Sequence, residues 1–166
     1  VPMDMKRSVI GIIEELAPLA AQKNIALSFD GADGLVVMAD ETLLRLLIGN
    51  VIENAVKYTP AGGAVTISAW ENLTEASYTF EVRDTGIGIS KEDRVRIFEP
   101  FERAQSGTGK ARVSRSGAGL GLSLVKNIIT LHGGHVSLES EPGKGTTVTM
   151  FLPNTHVKTN LKLGAE

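Results

Sequence analysis

The stretch Asn50-Val-Ile-Glu-Asn-Ala-Val-Lys-Tyr58 decides how the rest of the chain is organised. At about 100° per residue, its polar side chains share roughly a third of the circumference of a helix that we predict from Asp40 to Tyr58. These polar residues are Asn50, Glu53, Asn54 and Lys57. Apolar residues fill most of the remaining circumference: Leu44, Leu47, Ile48, Val51, Ile52 and Ala55. The pattern therefore predicts a buried central helix with one narrow polar stripe.

The polar stripe allows two interpretations. A surface helix usually fills such a stripe with Lys–Glu pairs that face water. Two asparagines one turn apart are poor helix formers, which favours a specific role for them. An asparagine carbonyl is a hard oxygen ligand, and Mg²⁺ typically takes one or two protein ligands together with substrate phosphates. A lysine one turn further on would neutralise those phosphates. The helix alone leaves a solvated face and a metal–phosphate site equally open.

Two glycine clusters follow the helix. Asp84-Thr-Gly86-Ile-Gly88 comes after a strand-like run, and Gly117-Ala-Gly119-Leu-Gly121 opens a second helix. Backbone N–H groups just before a helix N-terminus bind phosphate through free amides and the helix dipole. Each cluster alone is weak evidence, because Asp-x-Gly is common in turns. Their occurrence together, after the polar stripe, favours the metal–phosphate interpretation.

Five motifs in a fixed order resemble the ATP-binding domain of sensor histidine kinases. They resemble its N box, first glycine box, F box, second glycine box and terminal Gly-x-Gly-Thr: 54–58, 84–88, Phe98-Glu-Pro-Phe101, 117–121 and Gly143-x-Gly145-Thr146. The resemblance covers nearly all of residues 4–153. It implies membership of the superfamily that also contains gyrase, Hsp90 and MutL, and a domain that binds ATP and Mg²⁺.

The resemblance also implies a set of site residues. Asn54 is expected to bind the metal ion, and the carboxylate of Asp84 to accept a hydrogen bond from the adenine amine, where guanine carries an oxygen. The expected nucleotide-binding residues are Asn54, Lys57, Tyr58, Asp84, Gly86, Gly88, Ile89, Arg112, Arg115, Gly117, Gly119, Leu120, Gly121 and Thr146. Simpler roles stay open for three of them: a core-edge position for Tyr58 and solvated charges for the two arginines. For Gly143 and Gly145, a strand-joining turn is the preferred role.

The catalytic expectation rests on Asn50, Glu53 and Asn54. Gyrase-like and Hsp90-like ATPases carry a glutamate one helical turn before the metal-binding asparagine, and that position is Asn50 here. Because an amide cannot act as a general base, attack by water should be slow. Glu53 is a weaker candidate for orienting a water or an incoming imidazole. A degenerate signalling scaffold and a slow ATPase are the alternatives to a kinase.

The three histidines do not have the surroundings of a phospho-accepting residue. His132 ends a predicted helix, which favours a cap or dipole contact. His135 begins a predicted strand, and His156 lies in the tail. The resemblance thus implies partners outside this chain: a histidine-containing dimerisation domain of the same parent protein, and a response regulator downstream.

Composition limits the remaining possibilities. The 166 residues are 42% apolar, which suits one domain with one core. A net charge of −2 gives no case for nucleic-acid binding. No apolar run reaches the ~18 residues needed to cross a membrane. We therefore expect a monomeric, cytoplasmic fragment of a longer protein that itself contacts no membrane, whether or not the parent protein is membrane-anchored.

The predicted fold is an α+β two-layer sandwich, with a mixed, mostly antiparallel sheet of about five strands and about three helices on one face. A helix from Asp4 to Gln22 contains Pro18, which predicts a kink or an early end. Residues 103–118 are rich in Gly, Ser and basic residues. We expect them to form a long ATP lid. The domain is expected to span 1–153, followed by a mobile tail, 154–166.

Overall fold

The computed structural model describes residues 1–95, 97–98 and 121–154. Its elements, in chain order, are β1 Pro2–Asp4, α1 Met5–Gln22, β2 Ala26–Gly31, β3 Val36–Met38, α2 Glu41–Tyr58, β4 Ala64–Asn72, β5 Ser77–Asp84, α3 Lys91–Arg94, α4 Gly121–Leu131, β6 His135–Glu141 and β7 Gly145–Pro153. The predicted α+β class is confirmed.

The main sheet has five strands in the order β2-β4-β5-β7-β6. Only the β2–β4 pair is parallel, and the other three neighbouring pairs are antiparallel. The predicted mixed, mostly antiparallel sheet is therefore confirmed. A separate two-stranded sheet joins β1 to β3.

Helix α2 supplies the centre of the hydrophobic core. Its apolar face is buried, and Ile52 is 0% exposed. Inward-facing residues of the sheet are also fully buried, such as Val65 and Ile67 of β4, because side chains alternate between the two faces of a strand. Burying one such side chain contributes about 1.5–3 kcal/mol to the stability of the fold. The packing of α2 against the sheet therefore holds the polar stripe of α2 in place.

An aspartate caps the N-terminus of each of the two long helices. Asp40 Oδ1 accepts a hydrogen bond from the backbone N of Leu43 at 3.0 Å, and Asp4 Oδ1 accepts one from the N of Arg7 at 3.0 Å. Each aspartate thus satisfies an N–H group that the first turn of a helix leaves free. Helix α1 continues past Pro18 to Gln22, so the early end does not occur, and Ala20 beyond the proline is buried in the core.

Three local predictions were incomplete. Strand β1 was not predicted, because three residues carry no readable periodicity and the strand exists only by pairing with β3. The run Leu35-Val-Val-Met38 predicts a short buried strand, but β3 is only half-buried, since Val36 and Met38 face outward. The run from Lys91 to Phe98 predicts a short helix, but α3 ends at Arg94. Ile97 and Phe98 lie in turns and are both half-buried.

One row of neighbouring residues across the sheet contains three polar side chains. Val65, Asp84, Thr146 and Ser140 lie side by side across β4, β5, β7 and β6. Val65 is buried, so this row lies on the face that the helices cover. Within the described residues, no helix is long and apolar enough to cross a membrane.

Candidate nucleotide-binding site

Asp84 is held in place by one of its two carboxylate oxygens. Oδ1 accepts hydrogen bonds from the backbone N of Gly86 at 2.8 Å and of Thr146 at 3.2 Å. Burial raises the pKa of the carboxyl group, while the two backbone N–H bonds oppose that shift. No described residue donates a hydrogen bond to Oδ2. The carboxylate is therefore oriented by the protein and keeps one oxygen as an acceptor for a ligand.

The loop after Asp84 packs against the C-terminal end of helix α2. The backbone N of Ile87 donates to the carbonyl of Tyr58 at 3.3 Å. A Cβ atom at Gly86 would stand 2.6 Å from that same carbonyl oxygen, so no other residue fits there without a shift. This contact joins the first glycine motif to the helix that carries Asn54.

The other side of the loop packs against the turn between β6 and β7. Gly88 has a φ of +74°, and a Cβ atom there would overlap the carbonyl of Glu141. The backbone N of Gly143 donates to the carbonyl of Ile87 at 2.7 Å. Gly143 and Gly145 do form the predicted turn, and Gly145 in addition lies directly against the carbonyl of Asp84.

Ser140 joins the same three segments and was not selected from the sequence. Its Oγ accepts a hydrogen bond from the backbone N of Ile89 at 2.8 Å. The same oxygen lies 2.9 Å from the carbonyl oxygen of Gly145 and 2.8 Å from Thr146 Oγ1. The available signal was alternation, because Ser140 is a buried polar residue at an inward-facing position of β6, in step with Val136 and Leu138.

Two contacts of the polar stripe of α2 lie within the helix. Asn50 Nδ2 donates to the carbonyl of Leu46 at 2.7 Å, and Lys57 Nζ lies 3.3 Å from Glu53 Oε1. The side-chain amide of Asn54 makes no hydrogen bond to any residue of the described part. All four stripe residues are half-buried. Asn54 therefore presents an amide oxygen that the protein does not already use.

Lys23 fixes the end of α2 and was also missed. Its Nζ donates to the carbonyls of Val56 and Lys57, each at 2.8 Å. The last carbonyls of a helix lack partners within the helix, so a lysine that reaches them acts as a C-terminal cap. This cap immediately precedes Tyr58, whose carbonyl receives the glycine loop.

His132 ties helix α4 to the beginning of α2. Its Nδ1 lies 2.8 Å from the carbonyl of Ile128, and its Nε2 accepts from the backbone N of Asp40 at 3.2 Å. A carbonyl can only accept, so the ring carries its proton on Nδ1. The predicted contact of His132 with a helix end is confirmed.

Part of the predicted site lies outside the described residues: Arg112, Arg115, Gly117, Gly119, Leu120, Phe101, the lid 103–118 and the tail from 155 onward. Of the described remainder, Asp84, Thr146 and the loop 86–89 lie together at one end of the sheet, and helix α2, which carries Asn54 and Lys57, ends against this loop at Tyr58. Tyr58 and Ile89 are half-buried there, whereas Ile87 is 58% exposed.

A large open groove elsewhere, of about 1080 Å³, lies between α1, β1 and the start of α2. Ion pairs already occupy the side chains in and beside it, Lys6 with Asp33 and Arg45 with Glu15. It contains none of the predicted site residues. We therefore propose the Asp84 end of the sheet, and not this groove, as the functional site.

Residues 39–156 match the family described as histidine kinase-, DNA gyrase B- and HSP90-like ATPases. The chain belongs to this ATPase family. Histidine protein kinase DivJ of Caulobacter vibrioides is 44% identical to it over 121 residues, which cover 72% of this chain and 19% of DivJ. The family assignment confirms the order of motifs seen in the sequence.

Solved structures agree with the fold and the kinase type. Full-length ShkA in complex with AMPPNP has a TM-score of 0.77 and 32% identity, over 92% of this chain and 30% of ShkA. The catalytic domain of histidine kinase ThkA has a TM-score of 0.78 over 93% of this chain and 95% of its own, at 23% identity, and so shows the fold. The resemblance to the catalytic domain of sensor histidine kinases is confirmed.

The chain matches only one part of a complete kinase. This chain spans less than a fifth of the length of DivJ, while it covers nearly all of the isolated ThkA catalytic domain. The chain thus corresponds to an ATP-using catalytic domain, and the activity of a complete protein is a separate question.

Proposed function

We propose that this domain binds Mg²⁺-ATP and donates the γ-phosphoryl group to a histidine on a separate dimerisation domain, as one step of two-component signalling. The observation that carries the proposal is the oriented carboxylate of Asp84, with one oxygen fixed by two backbone N–H groups and the other available. The complex of the related ShkA with AMPPNP supports a nucleotide as the ligand.

The carboxylate favours adenine over guanine. Adenine carries an exocyclic amine, which donates a hydrogen bond, at the position where guanine carries an oxygen. A hydrogen bond to a charged acceptor is about twice as strong as a neutral one. A guanine oxygen facing Asp84 would place two acceptors together and leave a half-buried carboxylate without a partner. Sites built to hydrogen-bond a particular group reject analogues that lack it.

The metal part of the proposal rests on Asn54. Within the described residues, no group of three or more His, Cys, Asp or Glu side chains could hold a metal ion. Mg²⁺ does not need such a cage when nucleotide phosphates supply most of its ligands. The unused amide oxygen of Asn54 fits that ligand set, and Lys57 lies one helical turn further along the stripe. Bound Mg²⁺ would neutralise phosphate charge, which is the chemistry it supplies to phosphoryl transfer.

The same helix argues for a kinase rather than an ATPase. Asn50 holds the position at which related ATPases carry their glutamate, and its amide donates to the carbonyl of Leu46. Glu53 pairs with Lys57. A general base typically contributes 10²–10⁴-fold, so its replacement by an amide leaves hydrolysis slow and the γ-phosphoryl group available to an imidazole.

Neither described histidine is placed to receive the phosphoryl group. Both ring nitrogens of His132 already make hydrogen bonds. His135 stacks on Phe151 with ring centroids 4.4 Å apart, on the outer face of the sheet and at the end opposite Asp84. The proposal therefore includes an acceptor histidine on a dimerisation domain of the parent protein, a response regulator downstream, and a cytoplasmic location for this monomeric domain.

Calorimetry of the domain with ATP and GTP, each with and without Mg²⁺, tests the proposal. We expect ATP to bind at least tenfold more tightly than GTP and Mg²⁺ to strengthen ATP binding. Equal affinity for the two nucleotides would contradict the assignment of Asp84. A complete absence of binding would instead favour a degenerate scaffold, and rapid release of inorganic phosphate would favour an ATPase.

A further inference from the structure

We infer that Ser140 is a positioning residue for base selectivity, because its hydroxyl group fixes which way the hydroxyl proton of Thr146 points. This inference rests on the proposed function and concerns the base end of the same site. Ser140 is only 7% exposed, so its hydroxyl group must find its partners within the protein. It has three within 2.9 Å: the backbone N of Ile89, the carbonyl oxygen of Gly145 and Thr146 Oγ1.

Proton counting assigns each of these contacts. A hydroxyl group has one proton to donate and two lone pairs with which to accept. The backbone N of Ile89 can only donate, so it takes one lone pair of Ser140. The carbonyl of Gly145 can only accept, so it receives the single proton of Ser140. The contact of 2.8 Å between the two hydroxyl groups then requires Thr146 to be the donor.

The consequence reaches the nucleotide site through Thr146. Because its proton points to Ser140, Thr146 Oγ1 can offer only lone pairs to anything else. Thr146 lies directly opposite Asp84 in the sheet, and its backbone N donates to Asp84 Oδ1. Asp84 Oδ2 is also an acceptor. The protein thus presents acceptors alone at this point, which suits an exocyclic amine, or a water that donates to both oxygens, and disfavours a ligand oxygen.

Loss of the Ser140 hydroxyl group should change this in a specific way. Without it, the Thr146 hydroxyl group is free to rotate and to donate a hydrogen bond towards the ligand. A hydroxyl donor tolerates the guanine oxygen that the wild-type site rejects. The backbone N of Ile89 also loses its partner, which weakens the hold on the first glycine loop. Affinity for ATP should fall, and affinity for GTP should fall less or rise.

The test compares Ser140→Thr with Ser140→Val, two side chains of nearly the same shape, of which only threonine carries the hydroxyl group. The readout is the ratio of the GTP and ATP dissociation constants, measured by calorimetry with Mg²⁺. We expect Ser140→Val to reduce the ratio about 3- to 10-fold, as for one neutral hydrogen bond, and Ser140→Thr to retain it. Ser137→Ala, on the exposed face of the same strand, is the control and should behave as wild type.

The ratio separates positioning from mere destabilisation, because a loss of folded protein lowers binding of both nucleotides equally. If Ser140→Val is folded and its ratio is within twofold of wild type, the inference is wrong. If that variant does not fold, Ser140→Cys, with a poor donor of similar size, provides the same comparison.

This outcome is distinguishable from failure of the proposed function. A wild-type domain that does not bind ATP contradicts the proposed function itself. A wild-type domain that discriminates ATP from GTP, with a folded Ser140→Val variant that discriminates equally well, contradicts only the role of Ser140.

Discussion

The two ends of the candidate site are built in different ways. At the base end, segments far apart in the chain are joined by hydrogen bonds: Asp84 to Thr146, Ser140 to Ile89, and Gly143 to Ile87. At the proposed metal end, Asn50 and the Glu53–Lys57 pair make contacts within their own helix, and the side-chain amide of Asn54 makes no hydrogen bond to a described residue. The base end is complete within the described protein, whereas the metal end has unused ligand groups.

This difference indicates how binding is divided between the two ends. A group that the protein already holds in place loses little entropy when a ligand binds, so the base end should supply selectivity. We expect the proposed metal end to gain further contacts when phosphate and metal bind. Lys23 connects the two, because it caps the helix that bears Asn54 just before the carbonyl that receives the glycine loop.

The largest effect should come from Asp84→Asn, which removes the negative charge at the base end and keeps the shape of the side chain. The asparagine oxygen can still accept from Gly86 and Thr146, but the other atom becomes an NH₂ donor that faces the adenine amine. We expect ATP affinity to fall about 10- to 150-fold, as for loss of a hydrogen bond to a charged group. Calorimetry measures the loss, and Glu81→Gln on the same strand is the control. A change of less than twofold would remove Asp84 from the site.

The next largest effect should come from Asn54→Ala at the metal end. Affinity for ATP should fall about tenfold, or 1.4 kcal/mol, in the presence of Mg²⁺ and hardly at all in its absence. The reason is that the amide oxygen is proposed to contact the metal ion and not the nucleotide. Titrations with Mg²⁺ and with EDTA measure both cases. Equal losses under the two conditions would show that Asn54 has only a structural role.

Lys23→Met tests the connection between the two ends. Removal of the ammonium group leaves the carbonyls of Val56 and Lys57 without this cap, so the free energy of unfolding should fall by about 1–2 kcal/mol. ATP affinity should weaken only about threefold, since neither end loses a ligand group. Urea denaturation measures the first effect and calorimetry the second. The matched variant Lys126→Met, at an exposed position of α4, should change neither; if the two variants are equally stable, Lys23 is not a cap.

Mild acidification should have the smallest effect and isolates the charge of Asp84. Burial raises the pKa of this carboxyl group above the ordinary value of 3.8, so it takes up a proton at a higher pH than an ordinary aspartate does. A protonated carboxyl group is a poorer acceptor, so ATP affinity should be greatest above that pKa and decline as the pH falls through it. Titration of the dissociation constant against pH should show this decline in the wild type and not in Asp84→Asn. The same decline in the variant would assign it to another group.

The sequence was sufficient for the features that depend on local signals. Helix α2 is found where periodicity and the Asp40 cap predicted it, and the loop around Gly86 and Gly88 lies where its motif indicated. Both are encoded by residues close together in the chain. The early helix end predicted from Pro18 does not occur, because the loss of one helical hydrogen bond is outweighed by the burial of residues on either side of the proline.

The features that were missed depend on distant residues. Ser140 and Ile89 are 51 positions apart, and Lys23 and Val56 are 33 apart. No pattern within a strand or a loop says which backbone groups such side chains will meet, because the answer depends on how the sheet and helices pack. Ser140 could have been suspected as a polar residue at an inward-facing position, but a half-buried lysine beside a helix end has no comparable signal.

Phosphotransfer in trans tests the central claim most directly. The domain is mixed with γ-³²P-labelled ATP, Mg²⁺ and the purified dimerisation domain of the parent protein, and acid-labile label on that partner is compared with released inorganic phosphate. The account predicts label on the partner's histidine, none with Asn54→Ala, and hydrolysis near background without the partner. Turnover on the order of 1 s⁻¹ by the domain alone, as for an ordinary enzyme, with no label on the partner, would contradict it and establish an ATPase.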